Sequence, residues 1–138
     1  ANLWQKKVRS VLSPFDITPV QYLLLVGLRD LQEESGGPVK QADLARYCQS
    51  DPMMTSQVLR ALQKAGMIDR HAHAADGRAV AVNLSVNGAK LLARAEPEIS
   101  HTDSQFHDPL GSEKETFGDA LRLLSGVRPR RRVKAVRG

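Results

Sequence analysis

Apolar residues recur at helical spacing over several stretches of the chain, which predicts a mainly helical fold. Residues 3–12 place apolar side chains three or four positions apart and are followed by Pro14, so they predict a short first helix. A second helix should begin after Thr18, because Thr18 can cap it and Pro19 suits its first position. It should run to about Glu34, where a segment rich in glycine and proline ends it.

The middle of the chain predicts two helices separated by a tight turn. Residues 39–49 predict a short helix, and the turn follows at Ser50. In the sequence DPMMTSQVLRALQKAG, Asp51 can cap the next helix, Pro52 suits its first position, and Gly66 can close it. This order is typical of a helix-turn-helix unit. The second helix of the unit should bury Val58, Leu62 and Ala65.

A β-hairpin is predicted directly after this unit. Residues 67–73 and 79–84 have the character of short strands, and Asp76-Gly77 between them is a turn signal. In the second strand three apolar residues alternate with smaller or polar ones, which predicts one apolar face against the helices. Those three residues are Val80, Val82 and Leu84.

The remaining residues predict a long helical segment and a basic tail. Ser85 should cap a further helix, which Pro97 should kink or end in its first part. A last helix is predicted from Ser112, where a capping box begins, to Gly126. Residues 127–138 contain too few apolar side chains to fold, and we expect them to be disordered.

The charges are distributed unevenly along the chain. The net charge is +5, but residues 127–138 hold six of the 20 basic residues and no acidic one. Residues 40–90 carry seven Lys or Arg against four acids, whereas residues 91–126 carry three against seven. This asymmetry favours a module that contacts phosphates, joined to one that does not.

Several functional classes lack their usual signals. No run approaches the roughly 18 apolar residues of a membrane span, and the first residues lack the apolar core of a signal peptide, so we expect a cytoplasmic protein with no membrane partner. No nucleophile motif, phosphate loop or carboxylate pair indicates an enzyme, and no histidine pair has metal-binding spacing. We therefore expect no cofactor. The single cysteine, Cys48, is interpreted as a core residue rather than a redox switch.

A helix-turn-helix followed by a hairpin predicts a DNA-binding surface. The second helix of the unit can enter the major groove with its amide-bearing N-terminus towards phosphates or bases, while the hairpin, or wing, reaches the backbone or the neighbouring minor groove. The candidate contacts on this recognition helix are Pro52, Thr55, Ser56, Gln57, Arg60 and Lys64. The candidates on the wing are Arg70, His73, Asp76 and Arg78. The alternative is a winged-helix module that binds protein instead of DNA.

Motifs between Thr18 and Gly88 resemble the MarR family of bacterial transcription factors. The segment TPVQYLLLVGL is similar to the family's second helix, QADLARYCQSDPMMTSQVLRALQKAGMIDR to its helix-turn-helix, and DGRAVAVNLSVNG to its wing and the start of its long dimer helix. Asp76 and Arg78 match the family's D-x-R signature. Leu84-Ser85 followed by Gly88 matches its L-T-x-x-G pattern, with Ser in place of Thr.

The resemblance implies an α+β fold that is mainly α: a winged helix-turn-helix with a two-stranded β wing and N- and C-terminal dimerisation helices. One domain would span 1–126, with its core at 18–88 and its dimerisation helices at 1–17 and 89–126. The implied function is that of a homodimer on a palindromic DNA operator, often a repressor released by a small-molecule inducer or an oxidant. Trp4, Phe15 and Tyr22 are candidates for lining an inducer pocket, although core packing explains them equally well.

Overall fold

The computed structural model describes the backbone of residues 3–107 and, apart from Trp4, the side chains of residues 3–102. The elements are α1 (Leu3–Leu12), a 3₁₀ turn (Ser13–Phe15), α2 (Pro19–Ser35), β1 (Val39–Lys40), α3 (Gln41–Cys48), α4 (Pro52–Lys64), β2 (Ile68–Ala72), β3 (Val80–Leu84) and α5 (Val86–His107). The order of helices and strands predicted within these residues is confirmed, apart from β1, which was not predicted, and the course of α5 at Pro97. The helix predicted from Ser112 and the basic tail lie outside the described residues.

Helix α2 begins with the signals that the sequence predicts. The Gln21 backbone N–H donates to Thr18 Oγ1 at 3.1 Å, and the Thr18 N–H donates to Gln21 Oε1 at 3.0 Å. This reciprocal pair satisfies amides that the first turn of a helix leaves without partners. At the other end Gly36 has φ +83°, a left-handed conformation that glycine adopts without steric cost.

Helix α2 lies at the centre of the fold, in contact with every other helix and with the sheet. Its middle is buried almost completely, so it has no polar face there. In α4, Leu62 is buried as predicted, Val58 is half-buried and Ala65 is exposed, while Leu59 is fully buried instead. The prediction that Ala65 is buried is wrong, because α4 ends at Lys64, one residue before it. The largest fully buried core residues include Leu23, Leu24, Leu25, Leu28, Leu44, Leu59, Leu62 and Leu92.

The sheet has three antiparallel strands in the order β1-β3-β2, so the predicted wing hairpin gains a short third strand. Strand β1 lies at the start of the stretch predicted as one helix. It pairs through Val39 with Val82. The predicted alternation in β3 is only partly right, because Val82 is buried but Val80 is 36% exposed near the wing tip. Ala81 is buried between the longer cross-strand side chains of Lys40 and His71.

Helix α5 packs against α1 and α2 and runs past Pro97, so the prediction that this proline could end the helix is wrong. A proline removes one backbone hydrogen bond, but tertiary contacts compensate for the loss here. Ala95 and Ile99 are fully buried on either side of it. Further along, the buried Thr102 satisfies its hydroxyl within the helix, where Oγ1 donates to the Glu98 carbonyl at 3.0 Å.

The start of α5 is packed tightly against the residue that precedes β2. Ser85 Oγ accepts from the Gly88 N–H at 3.0 Å and donates to the Gly66 carbonyl at 2.6 Å. An ideal Cβ on Gly88 would lie 2.1 Å from the Met67 carbonyl oxygen. The Ser-x-x-Gly pattern thus has a structural reason, since Ser85 caps the helix and Gly88 permits the close backbone approach.

Candidate nucleic-acid interface

The turn between α3 and α4 is tightly defined. Gln49 closes α3 in the left-handed conformation with φ +54°, and the Ser50 N–H donates to the Ala45 carbonyl at 2.9 Å. Asp51 then caps α4, because its Oδ2 accepts from the Met54 N–H at 2.8 Å. These bonds fix the direction in which α4 leaves the turn.

Thr55 supports this turn from inside the protein. Its side chain is fully buried, and its Oγ1 lies 2.5 Å from Ser50 Oγ. A buried hydroxyl needs such a partner, because an unsatisfied one is costly in the interior. The prediction that Thr55 contacts DNA is therefore wrong. Thr55 instead holds the turn against α4.

The solvent side of α4 carries the remaining candidates. Pro52, Gln57, Arg60 and Lys64 are exposed, and Ser56 is half-buried. The N-terminus of the helix offers fewer free amides than we expected, since Pro52 has none and Asp51 occupies that of Met54. The side chains of this face, rather than the helix end, are thus the groups available to a partner.

His73 and Asp76 shape the wing tip between β2 and β3. The backbone N–H groups of Ala75 and Asp76 both donate to His73 Nδ1, at 3.2 and 3.1 Å. Asp76 Oδ1 accepts from the Arg78 N–H at 3.2 Å, and the Asp76 carbonyl accepts from the Ala79 N–H at 2.9 Å. These polar atoms are engaged within the turn, so both residues have a structural role in presenting Arg78.

Arg78 extends from this turn into solvent. Its side chain is 96% exposed, and its Nε lies 3.9 Å from Asp76 Oδ1. Lys40 Nζ lies 3.7 Å from the other oxygen of the same carboxylate. Exposed ion pairs of this kind contribute little to stability, so the guanidinium of Arg78 can exchange Asp76 for another anion at small cost.

Arg70 occupies a different position from the one we expected of a DNA contact. It is half-buried in β2, where its Nε donates to Gln41 Oε1 at 3.2 Å and its Nη1 donates to Gln63 Oε1 at 3.3 Å. Gln41 begins α3 and Gln63 lies near the end of α4. Arg70 therefore connects the wing to both helices of the helix-turn-helix.

A polar network that the sequence did not reveal links α2 to α5 and α3. Arg29 Nη1 and Nη2 donate to the two carboxylate oxygens of Glu96 at 2.7 and 2.9 Å, and Tyr47 donates to Asp30 Oδ2 at 3.1 Å. The hydrogen bonds that Arg29 donates to Glu96 raise the pKa of Arg29 above its usual value. The pairing partner lies 67 positions away, so no local pattern could indicate it.

The outer face of the sheet carries a second unpredicted group. His71 places Nδ1 3.2 Å from the Ala72 carbonyl oxygen and Nε2 3.1 Å from Asn83 Oδ1. Both neighbours are acceptors, so both ring nitrogens are satisfied as donors only in the protonated imidazole. Both hydrogen bonds raise the pKa of His71, and the bond to the Ala72 backbone carbonyl makes the larger contribution.

Of the three candidates for an inducer pocket, the side chain of Trp4 lies outside the described residues, and the other two have different environments. Tyr22 is buried in the core, and burial is the main cause that raises the pKa of its hydroxyl. Phe15 is half-buried with the Arg94 guanidinium 5.3 Å from its ring centre. A groove between α1 and the start of α2 is lined by neither of them. It is lined by Gln5, Arg9, Ser13, Asp16, Ile17, Thr18, Pro19 and Val20.

Cys48 is fully buried, which confirms its interpretation as a core residue.

Within residues 3–107, no group of three or more histidine, cysteine or acidic side chains is placed to bind a metal ion. No single helix in that part of the chain is long and apolar enough to cross a membrane. The pair Gln5–Phe15 and Pro19–Ser35 passes such a test only when joined, and it is bent by 73°.

Helices α3 and α4, the turn between them and the β2–β3 hairpin define a winged helix-turn-helix protein. The MarR family model matches residues 17–80. An HTH-type transcriptional regulator of Bacillus subtilis, YdcH, is 35% identical over 121 residues, which cover 88% of this chain and 81% of the relative. The HTH-type transcriptional repressor Rv2887 of Mycobacterium tuberculosis is 32% identical over 99 residues, covering 72% and 68%. The chain belongs to the MarR family of transcriptional regulators.

Solved structures show the same fold. The Staphylococcus aureus MepR–DNA complex is 26% identical, with a TM-score of 0.70 and coverage of 90% of both chains. A mutant of Escherichia coli MarR complexed with operator DNA is 21% identical, with a TM-score of 0.71 and coverage of 91% of this chain and 86% of that one. The predicted family and fold class are confirmed, and the protein is a transcriptional regulator and not an enzyme.

Proposed function

We propose that this regulator binds double-stranded DNA sequence-specifically through α4 and the wing. The observation that carries the proposal is the exposed stripe of Gln57, Arg60 and Lys64 on a helix that a tightly bonded turn holds beside the wing. An amide can read a base edge in the major groove, and cations can pair with phosphates. The fully exposed guanidinium of Arg78 would contact the backbone or the adjacent minor groove.

The comparisons support this proposal. MepR and the MarR mutant were both solved in complex with DNA, the latter with its operator. The mycobacterial relative bears the name of a repressor. We extend these properties to the present chain and propose that it represses transcription by occupying an operator.

The proposed regulator acts as a homodimer built from its terminal helices. Helices α1 and α5 pack together, and Leu3 on α1 is 71% exposed although it is apolar. A second copy would cover such a surface and remove it from water. Two-fold symmetry would then require an inverted repeat whose half-site centres lie about 34–36 Å apart.

Release by a small-molecule inducer completes the proposal. Of the two aromatic candidates whose side chains the structure describes, Phe15 is better placed than Tyr22, because it is only half-buried and lies beside Arg94 of α5. Tyr22 lies in the core, so a ligand would reach it only after a rearrangement. Binding at Phe15 would act where the N-terminal elements meet the helix proposed to form the dimer.

Selection from random duplex DNA, followed by sequencing, tests the DNA-binding proposal. We expect enrichment of a palindrome and an affinity that falls steeply with salt, because bound cations release counterions from DNA. A winged helix that binds only protein would enrich no duplex. Sedimentation tests the dimer separately, and a stable monomer at micromolar concentration would contradict it.

A further inference from the structure

Met53 is an apolar residue that core packing does not explain. It is the second residue of α4, and its side chain is 71% exposed. The buried side of the helix is supplied by Thr55, Leu59 and Leu62 instead. Exposure of a single apolar side chain is common, so its significance depends on where it lies.

Met53 lies on the same face of α4 as the proposed DNA contacts. Gln57, Arg60 and Lys64 follow it by four, seven and eleven positions. At 3.6 residues per turn, each of the three points within about 40° of the direction of Met53. Met53 is in the first turn, and residues in the N-terminal part of a recognition helix are those that contact base edges. Lys64, in the last turn, is suited to a phosphate.

The chemistry of methionine limits which feature of a base pair Met53 can recognise. Its thioether has no hydrogen-bond donor and is only a weak acceptor, so it cannot distinguish the polar edges of bases. The C5-methyl group of thymine is the apolar feature that base pairs display in the major groove. A flexible, polarisable side chain packs readily against such a methyl group.

We propose that Met53 contacts the C5-methyl group of a thymine and specifies thymine at one position of each half-site. The inference rests on the proposed function, because it requires α4 to occupy the major groove. The contact of Met53 involves no charge. The inference therefore predicts that affinity at this position depends on the thymine methyl group alone.

Replacement of thymine by deoxyuridine isolates that methyl group, since the two bases have the same hydrogen-bonding edges. We expect each half-site of the selected operator to contain one thymine that Met53 contacts. Replacing that thymine by deoxyuridine should weaken wild-type binding about fourfold, which is the effect of one buried methyl group. Replacement in both half-sites should weaken binding about sixteenfold. Met53→Ala should bind the thymine and deoxyuridine operators equally, whereas Met53→Leu should retain most of the discrimination.

Met54→Ala is the matched control, because the neighbouring methionine is half-buried and lies on a different side of the helix. It should leave the ratio of thymine to deoxyuridine affinity unchanged, and circular dichroism should show all three variants folded. The inference is overturned if no replacement weakens wild-type binding, or if Met53→Ala still discriminates. Failure of the wild-type protein to bind any duplex would instead overturn the proposed function.

Discussion

Removal of the wing arginine, Arg78→Ala, tests the proposed interface with little risk to the fold. The side chain is 96% exposed, and its ion pair with Asp76 spans 3.9 Å. Such a surface pair contributes at most about 1 kcal/mol and often nothing measurable. The hydrogen bond that shapes the wing uses the Arg78 backbone N–H, which alanine retains. The free energy of unfolding should therefore change by less than about 1 kcal/mol.

The size of the effect on DNA binding follows from counterion release. One cation on a phosphate contributes about 0.9 to the slope of log affinity against log salt on B-DNA. The proposed dimer loses two Arg78 side chains, one from each wing, so the slope should fall by about 1.8. The ratio of wild-type to variant affinity should therefore fall between about 50 and 200 mM salt, by roughly 3.5-fold for each Arg78 removed.

Binding titrations at several salt concentrations, on the operator and on scrambled duplex, measure this slope. We expect Arg78→Ala to weaken binding to both DNAs, because a phosphate contact carries little sequence information. Lys7→Ala is the matched control, since this exposed cation lies on α1, away from the wing. If Arg78→Ala binds both duplexes as the wild type does at every salt concentration, the proposed role of the wing is wrong.

Two further predictions concern α4 and the start of α5. Gln57→Ala should cost about 1–3 kcal/mol on the operator, because its amide is proposed to bind a base edge. The salt slope should stay unchanged, because an uncharged amide neutralises no phosphate. An equal loss on scrambled duplex would refute base reading. Gly88→Ala should lower the free energy of unfolding by about 1–3 kcal/mol in urea titrations, since its Cβ would lie 2.1 Å from the Met67 carbonyl oxygen. Gly77→Ala enters open space and should be nearly neutral, and an equal effect of both would exclude the steric explanation.

Local signals in the sequence were sufficient for most element boundaries in the described residues. The caps at Thr18, Asp51 and Ser85 are each confirmed by a hydrogen bond between a side chain and the backbone three residues further on. Such bonds join neighbours in the chain, so residue type and spacing are enough to predict them. The D-x-R signature likewise identified Asp76 and Arg78 as wing residues, although their contacts with DNA remain predictions.

The tertiary structure decided which of the candidate residues are available. Thr55 and Arg70 have residue types that suit DNA contact, yet one is buried beneath the turn and the other is bonded to two glutamines. Helical periodicity places a side chain on a face, but only packing shows whether a neighbouring element covers it. Arg70 shows this most clearly, because its partners come from α3 and α4.

By itself the sequence determined the order of helices and hairpin, the capping residues and the family, because these depend on local chemistry and recurring motifs. Strand β1, the Arg29–Glu96 pair and the uninterrupted course of α5 past Pro97 depended on the tertiary structure. Each arises between segments distant in the chain. Two residues of β1 form a strand only beside β3, and a helix tolerates proline where buried neighbours such as Ile99 compensate for the lost hydrogen bond.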